Sequence, residues 1–83
     1  MANAPEAEGV FQFLDEQENV IFIKGAMNLQ QELKDQLDLN QEAKFFMYLE
    51  EKMFSKRESE ILQHFITEHG KMPKQNQELE DLF

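Results

Sequence analysis

Two short runs rich in β-branched and aromatic residues, Val10-Phe11-Gln12-Phe13-Leu14 and Val20-Ile21-Phe22-Ile23-Lys24, flank the polar stretch Asp15-Glu16-Gln17-Glu18-Asn19. Val, Ile and Phe suit the pleated surface of a sheet, and a short polar connection between two such runs reads as a β-hairpin. The pattern predicts strands over 10–14 and 20–24. Whatever follows must pack against that hairpin, because 83 residues hold one modest core and one domain.

Downstream, apolar residues recur at helical spacing. Asn28 can cap a helix, Gln31 stands in the capping-box position, and Leu29, Leu33 and Leu37 form one stripe. This predicts a helix over about 28–38. Ser55 and Glu58 make a second capping box, and Ile61, Leu62, Phe65 and Ile66 make a second stripe. Gly70 and Pro73 then end it, for a helix over 55–69. Leu79, Leu82 and Phe83 suggest a short C-terminal helical turn docking its apolar end. The run Lys44-Phe45-Phe46-Met47-Tyr48-Leu49 fits a buried strand and a buried helical turn equally. Met1 to Glu8 are small and polar around Pro5, so residues 1–8 are expected to be a disordered lead-in to a single domain over 9–83.

Composition narrows the function classes. Cysteine is absent, which excludes disulfides, thiolate metal sites and cysteine nucleophiles and makes the reducing cytoplasm the expected location. No apolar run approaches the roughly 18 residues of a membrane span, and the first residues carry no signal-like region. Seventeen acidic against eight basic residues give a net charge of −9. Such a charge repels a phosphate backbone and an anionic membrane, so direct contact with either is not expected. The plain reading of this charge is a solvated surface, and the sharper one is a face for a basic partner.

The order hairpin, helix, apolar run, helix resembles the GIY-YIG nuclease domain, and the first half is similar to the N-terminal domain of the UvrC repair endonuclease. Gly9-Val10-Phe11 stands where that family has Gly-Ile/Val-Tyr. Val20-Ile21-Phe22-Ile23-Lys24-Gly25-Ala26-Met27-Asn28-Leu29 stands where it has Val-Ile-Tyr-Val-Gly-Lys-Ala-Lys-Asn-Leu. Glu58-Ser59-Glu60 looks like its Glu-x-Glu, and Pro73-Lys74-Gln75-Asn76 like its closing Pro-x-x-Asn. The resemblance covers about residues 9–76. It departs from the family by about one extra residue near Gly70 and by a short segment between the first helix and the third strand. It implies an α+β fold with a small three-stranded sheet, and it assigns the ambiguous run to a strand over about 44–50.

In that family a divalent metal sits on a helix-borne glutamate, a tyrosine helps activate water, and an arginine steadies the phosphate. The resemblance places the two tyrosines at Phe11 and Phe22, which lack hydroxyls, so acid–base assistance worth about 10²- to 10⁴-fold is missing. It places the arginine at Glu32. A carboxylate there reverses an interaction of roughly 4 kcal/mol per charge pair at about 4 Å and an effective dielectric near 20. Lys24-Gly25 inverts the family's Gly-Lys, and Gln30 and Gln31 remove further positive charge. Glu60, the counterpart of the metal ligand, and Asn76, the counterpart of the closing asparagine, are retained. A lone carboxylate holds Mg²⁺ weakly, so no metal, no cofactor and no catalytic residue are expected.

Other signals are weaker. Asp38-x-Asn40-x-Glu42 begins like a calcium loop, but Ala43 replaces the required glycine and Leu49 the bidentate glutamate. Glu60, His64 and Glu68 recur along one helix face, a pattern that internal pairing explains. Lys52, Lys56 and Arg57 form the main basic cluster and are the candidates for a partner contact. The sequence therefore points to a protein-binding adaptor or regulatory subunit and away from an enzyme. An acidic inhibitor or DNA mimic on a basic partner comes second, and a residual metal-dependent DNA endonuclease third.

Overall fold

The structure, a computed structural model, describes residues 4–81, with side chains as far as Gln77. Strand β1 (Gly9–Leu14) runs up the middle of a sheet between β2 (Val20–Ala26) and β3 (Phe45–Glu50), in the order β2-β1-β3 with both pairings antiparallel. Three helices follow the strands: α1 (Leu29–Leu39), α2 (Phe54–His69) and α3 (Lys74–Asp81). The expected α+β fold and three-stranded sheet are present.

Asp15 organises the hairpin turn. Its Oδ1 accepts from the N–H groups of Gln17 and Asn19, both at 2.9 Å, and Glu18 takes a positive φ of 64°. The register shifts between Phe13 and Leu14, where Leu14 pairs with Val20 and leaves Ile21 as the extra residue of a bulge. Gly9 is needed at the other end. A Cβ there would lie 2.1 Å from the Leu49 carbonyl oxygen and 2.7 Å from Leu29 Cδ1.

Side chains alternate across the sheet, so each face has its own core. On one face Phe11, Phe13, Phe22 and Ala26 pack with Leu29 and Leu33 of α1, and Leu37 and Phe46 close the margin. On the other, Val10 and Ile23 are buried beneath α2 and α3, which pack mainly on β2. None of the helices packs on β3 to a comparable extent among the described residues.

Two helix starts differ in kind. Asn28 caps α1 as expected, its Oδ1 accepting from Gln31 N–H at 3.1 Å, although the Gln31 side chain bonds Asp35 rather than completing the box. The Ser55–Glu58 box does not form. Helix α2 begins at Phe54 with Met53 as its cap and no side-chain cap bond, because Glu58 reaches across to β2 instead. Its end is as expected: Gly70 adopts the left-handed conformation at φ 78° and donates to Ile66 C=O at 2.7 Å. At the C-terminus α3 is a helix of eight residues rather than a single turn. The expected docking of Leu79, Leu82 and Phe83 lies outside the described residues.

Two expectations are corrected. Residues 4–8 are not a lead-in without contacts: Ala4 is buried in the core beside Phe11 and Phe22. The carbonyls of Pro5 and Ala7 accept from Gln30 and Leu29 N–H, and that of Glu8 from Glu51 N–H. Polar composition hid this role because it is played by backbone groups. Nor is the Phe45–Leu49 run buried: Phe45, Met47 and Leu49 are about half exposed, at 50%, 51% and 47%. The strand is an edge, and the helices cover the sheet only as far as β1.

Candidate functional site

The aromatic residues of the two strands come together first. Phe11 lies 5.2 Å from Phe13 and 6.0 Å from Phe22 between ring centroids, and Phe13 lies 6.0 Å from Phe22. Phe11 is 0% exposed and Phe22 4%. The rings therefore act as one hydrophobic triad under α1, contributing packing and no proton-transfer group.

Glu32 stands in the first turn of α1, where the helix dipole favours a carboxylate. Its Oε1 lies 3.4 Å from Lys24 Nζ, and its Oε2 accepts from Gln36 Nε2 at 3.3 Å. Lys24, displaced one position along the strand relative to the motif it resembles, thus has its charge matched inside the molecule. Beside this pair is a shallow depression of about 310 Å³ lined by Gly25, Asn28, Glu32, Asp35 and Phe54. Its charged lining is acidic.

A helix start often offers free N–H groups to a phosphate. That of α1 does not. Leu29 and Gln30 N–H donate to Ala7 and Pro5 C=O, Gln31 N–H to Asn28 Oδ1, and Glu32 N–H to Asn28 C=O.

The residues of α2 and α3 separate into structural and surface groups. Glu58 Oε2 accepts from Gly25 N–H at 2.5 Å, and a Cβ at Gly25 would lie only 3.0 Å from Phe54 Cδ1. Glu58 and Gly25 hold the start of α2 against β2. Glu60 points outward with its side chain 52% exposed, 3.4 Å from Arg57, which also reaches Glu51 at 3.4 Å. Asn76 is buried and spans Ile23: its Oδ1 accepts from Ile23 N–H and its Nδ2 donates to Ile23 C=O, both at 2.9 Å. The side-chain amide continues the sheet where, among the described residues, no further strand does.

The divalent cation implied by the resemblance finds no fitting donor set here. Glu60 is paired to a guanidinium, and no group of three or more His, Asp or Glu suited to a metal occurs among the described residues. His64 pairs with Glu68 at 2.9 Å and His69 packs on Phe65 at 4.2 Å, so the Glu60, His64, Glu68 row is not assembled around a common point. Of the basic cluster, Arg57 is held between carboxylates. Lys52 and Lys56 are exposed beside Met53 and Phe54 in a depression of about 250 Å³.

Of Phe11, Phe22, Glu32, Glu60 and Asn76, the residues to which the sequence points, the fold brings together the first two. Phe11 and Phe22 meet directly and Glu32 pairs with Lys24, while Glu60 and Asn76 each serve a different contact. Two features were missed. The sequence pattern makes Glu58 a cap, although a carboxylate early in a helix beside a glycine-bearing strand can equally reach that strand, as Glu58, fifth in α2, does. The apolar edge of β3 was read as interior because hydrophobicity alone cannot tell an edge from a centre.

No protein-family model and no curated protein sequence matches the chain. Among solved structures, it is similar to the GIY-YIG N-terminal endonuclease domain of UvrC from Thermotoga maritima, a tyrosine-to-phenylalanine point mutant bound to its catalytic divalent cation. The match covers 87% of this chain and 84% of that one, with a TM-score of 0.61 and 22% identity. The hairpin, the helix across its aromatic face and the helix pair behind it are thus the fold of the GIY-YIG endonuclease domain.

Proposed function

We propose that this chain is a non-catalytic GIY-YIG-like domain that works in the cytoplasm as a protein-binding adaptor or regulatory subunit. The observation that carries the reading is the Glu32–Lys24 ion pair at 3.4 Å, beside a hydroxyl-free phenylalanine triad. Where a phosphate would need positive charge, this chain has a carboxylate with its own internal counter-ion. The satisfied amides at the start of α1 and the outward, guanidinium-paired Glu60 support the same conclusion. What remains is a stable platform with an acidic surface, an exposed apolar strand, and two open lysines at the start of α2.

Titrating labelled single-stranded, duplex and branched DNA with the protein, with and without Mg²⁺ or Mn²⁺, tests the proposal. No saturable anisotropy change is expected at physiological salt, and metal-dependent saturable binding contradicts it. The net charge of −9 favours one second reading, an acidic inhibitor seated on a basic nucleic-acid-binding protein. That reading requires partner binding to weaken steeply with salt, whereas an adaptor docking through apolar contacts is salt-tolerant.

A further inference from the structure

One edge of the sheet is closed and the other is open. Along β2, Asn76 bonds both backbone groups of Ile23 and Glu58 takes Gly25 N–H. Backbone groups alternate in direction along an antiparallel strand. With Ile23 facing outward, Phe22 and Lys24 bond inward to Phe13 and Phe11. Val10, Gln12 and Leu14 must then bond to β3, opposite Leu49, Met47 and Phe45. The bond from Glu51 N–H to Glu8 C=O continues this alternation at one end, and at the other Lys44 N–H turns inward to Leu14 C=O, so the open stretch runs from Phe45. Phe46 and Tyr48 are left with backbone N–H and C=O pointing away from the sheet, with no acceptor or donor among the described residues.

That open edge is also apolar and self-complementary. A second copy can extend the sheet with both faces continuous only if residues of like parity meet. Centred on Met47, such a pairing sets Phe46 opposite Tyr48 of the second copy, so the outward backbone groups bond each other. Phe45 then meets Leu49, Met47 meets its own copy, and Lys44, just before the strand, comes beside Glu50 of the second copy. Lys44 and Glu50 are both exposed and have no ion pair within the chain among the described residues. The neighbouring registers lose this match: centred on Tyr48 the pairing sets Glu50 opposite Phe46, and centred on Phe46 it brings Lys44 beside Tyr48, so neither charge meets its opposite.

We propose that the outer edge of β3 is the docking surface for a second copy of this chain, joined antiparallel about Met47 into a continuous six-stranded sheet. The proposal does not rest on the loss of catalysis argued above. It accounts for an edge strand carrying half-exposed Phe45, Met47 and Leu49 with its one charged residue, Glu50, at the end. Mutual repulsion of two chains of charge −9 opposes the pairing, and a Debye length of about 8 Å at physiological salt limits that repulsion.

Sedimentation equilibrium at physiological salt, from low to high micromolar concentration, tests it. The expected species at the upper end has twice the 9.9 kDa chain mass. Met47→Lys brings like charges together on the symmetry axis and gives a monomer, whose melting temperature is unchanged at a concentration where the wild-type chain is also monomeric, since Met47 is half exposed in the single chain. Lys44→Glu weakens association by about tenfold or more, and adding Glu50→Lys to it restores association. A chain that stays monomeric at every concentration overturns the proposal and leaves the edge to a strand from another protein. A dimer indifferent to Met47→Lys and to the charge exchange overturns it as well.

Discussion

Replacing Asn76 by alanine removes the only partner that either backbone group of Ile23 has on the outer side of β2 among the described residues. Both bonds are 2.9 Å long, and Ile23 is 1% exposed, so water cannot replace them without local opening. Each buried backbone group left unpaired costs about 1–3 kcal/mol. With some relaxation, the pair amounts to about 2–4 kcal/mol, against total stabilities of roughly 5–15 kcal/mol for domains in general. For a chain this small, urea unfolding has a slope of about 1 kcal/mol per M, so the midpoint falls by about 2–4 M. Asn76→Asp separates the two bonds: an ionised carboxylate still accepts from Ile23 N–H but repels Ile23 C=O, and only its protonated form can donate. That variant therefore regains stability on acidification relative to Asn76→Ala. A midpoint shift below about 0.5 M for Asn76→Ala refutes the reasoning and leaves Asn76 free for a role in binding.

Three further outcomes follow from the same geometry. Gly9→Ala drives a Cβ to within 2.1 Å of Leu49 O and lowers stability by about 1–3 kcal/mol in a thermal melt, although its backbone needs no unusual φ. Glu58→Ala frees Gly25 N–H and costs about 1–3 kcal/mol in urea, whereas Glu60→Ala, at an exposed site, stays within about 0.5 kcal/mol. Hydrogen bonds from Lys74, and then from Gln75, hold the Glu42 carboxyl below its usual range. A lowered folded value contributes stability above the unfolded one, near pH 4.3, and loses it as pH falls through the folded one. Lys74→Ala should raise the Glu42 midpoint in an NMR carboxylate titration and flatten this part of the acid limb.

The hairpin, α1 and the C-terminal end of α2 were legible because each is written locally: alternating apolar residues, an Asn cap, a glycine at a left-handed C-cap. The third strand was not. Five consecutive apolar residues carry no period, and its assignment came from the resemblance to a family. Its exposure was beyond local pattern altogether, since it depends on how far α2 extends over the sheet. The contacts of residues 4–8 were hidden for a related reason, because carbonyl oxygens of Pro5 and Ala7 do that work whatever side chains they carry. At the site, the absence of hydroxyls at Phe11 and Phe22 could be read directly from residue type. The Glu32–Lys24 pair could not, because the two residues lie on different elements and each was read as a separate departure. Glu60 and Asn76, singled out only by the resemblance, are placed by the fold in a surface ion pair and a sheet-edge clamp, contacts that residue identity alone does not reveal.

Cleavage of end-labelled branched and duplex DNA with Mn²⁺, followed to protein excess over substrate, tests the proposed catalytic silence most directly. No product above the protein-free control is predicted, for the wild-type chain and for Glu60→Ala alike. Metal-dependent product from the wild-type chain that disappears in Glu60→Ala would contradict it.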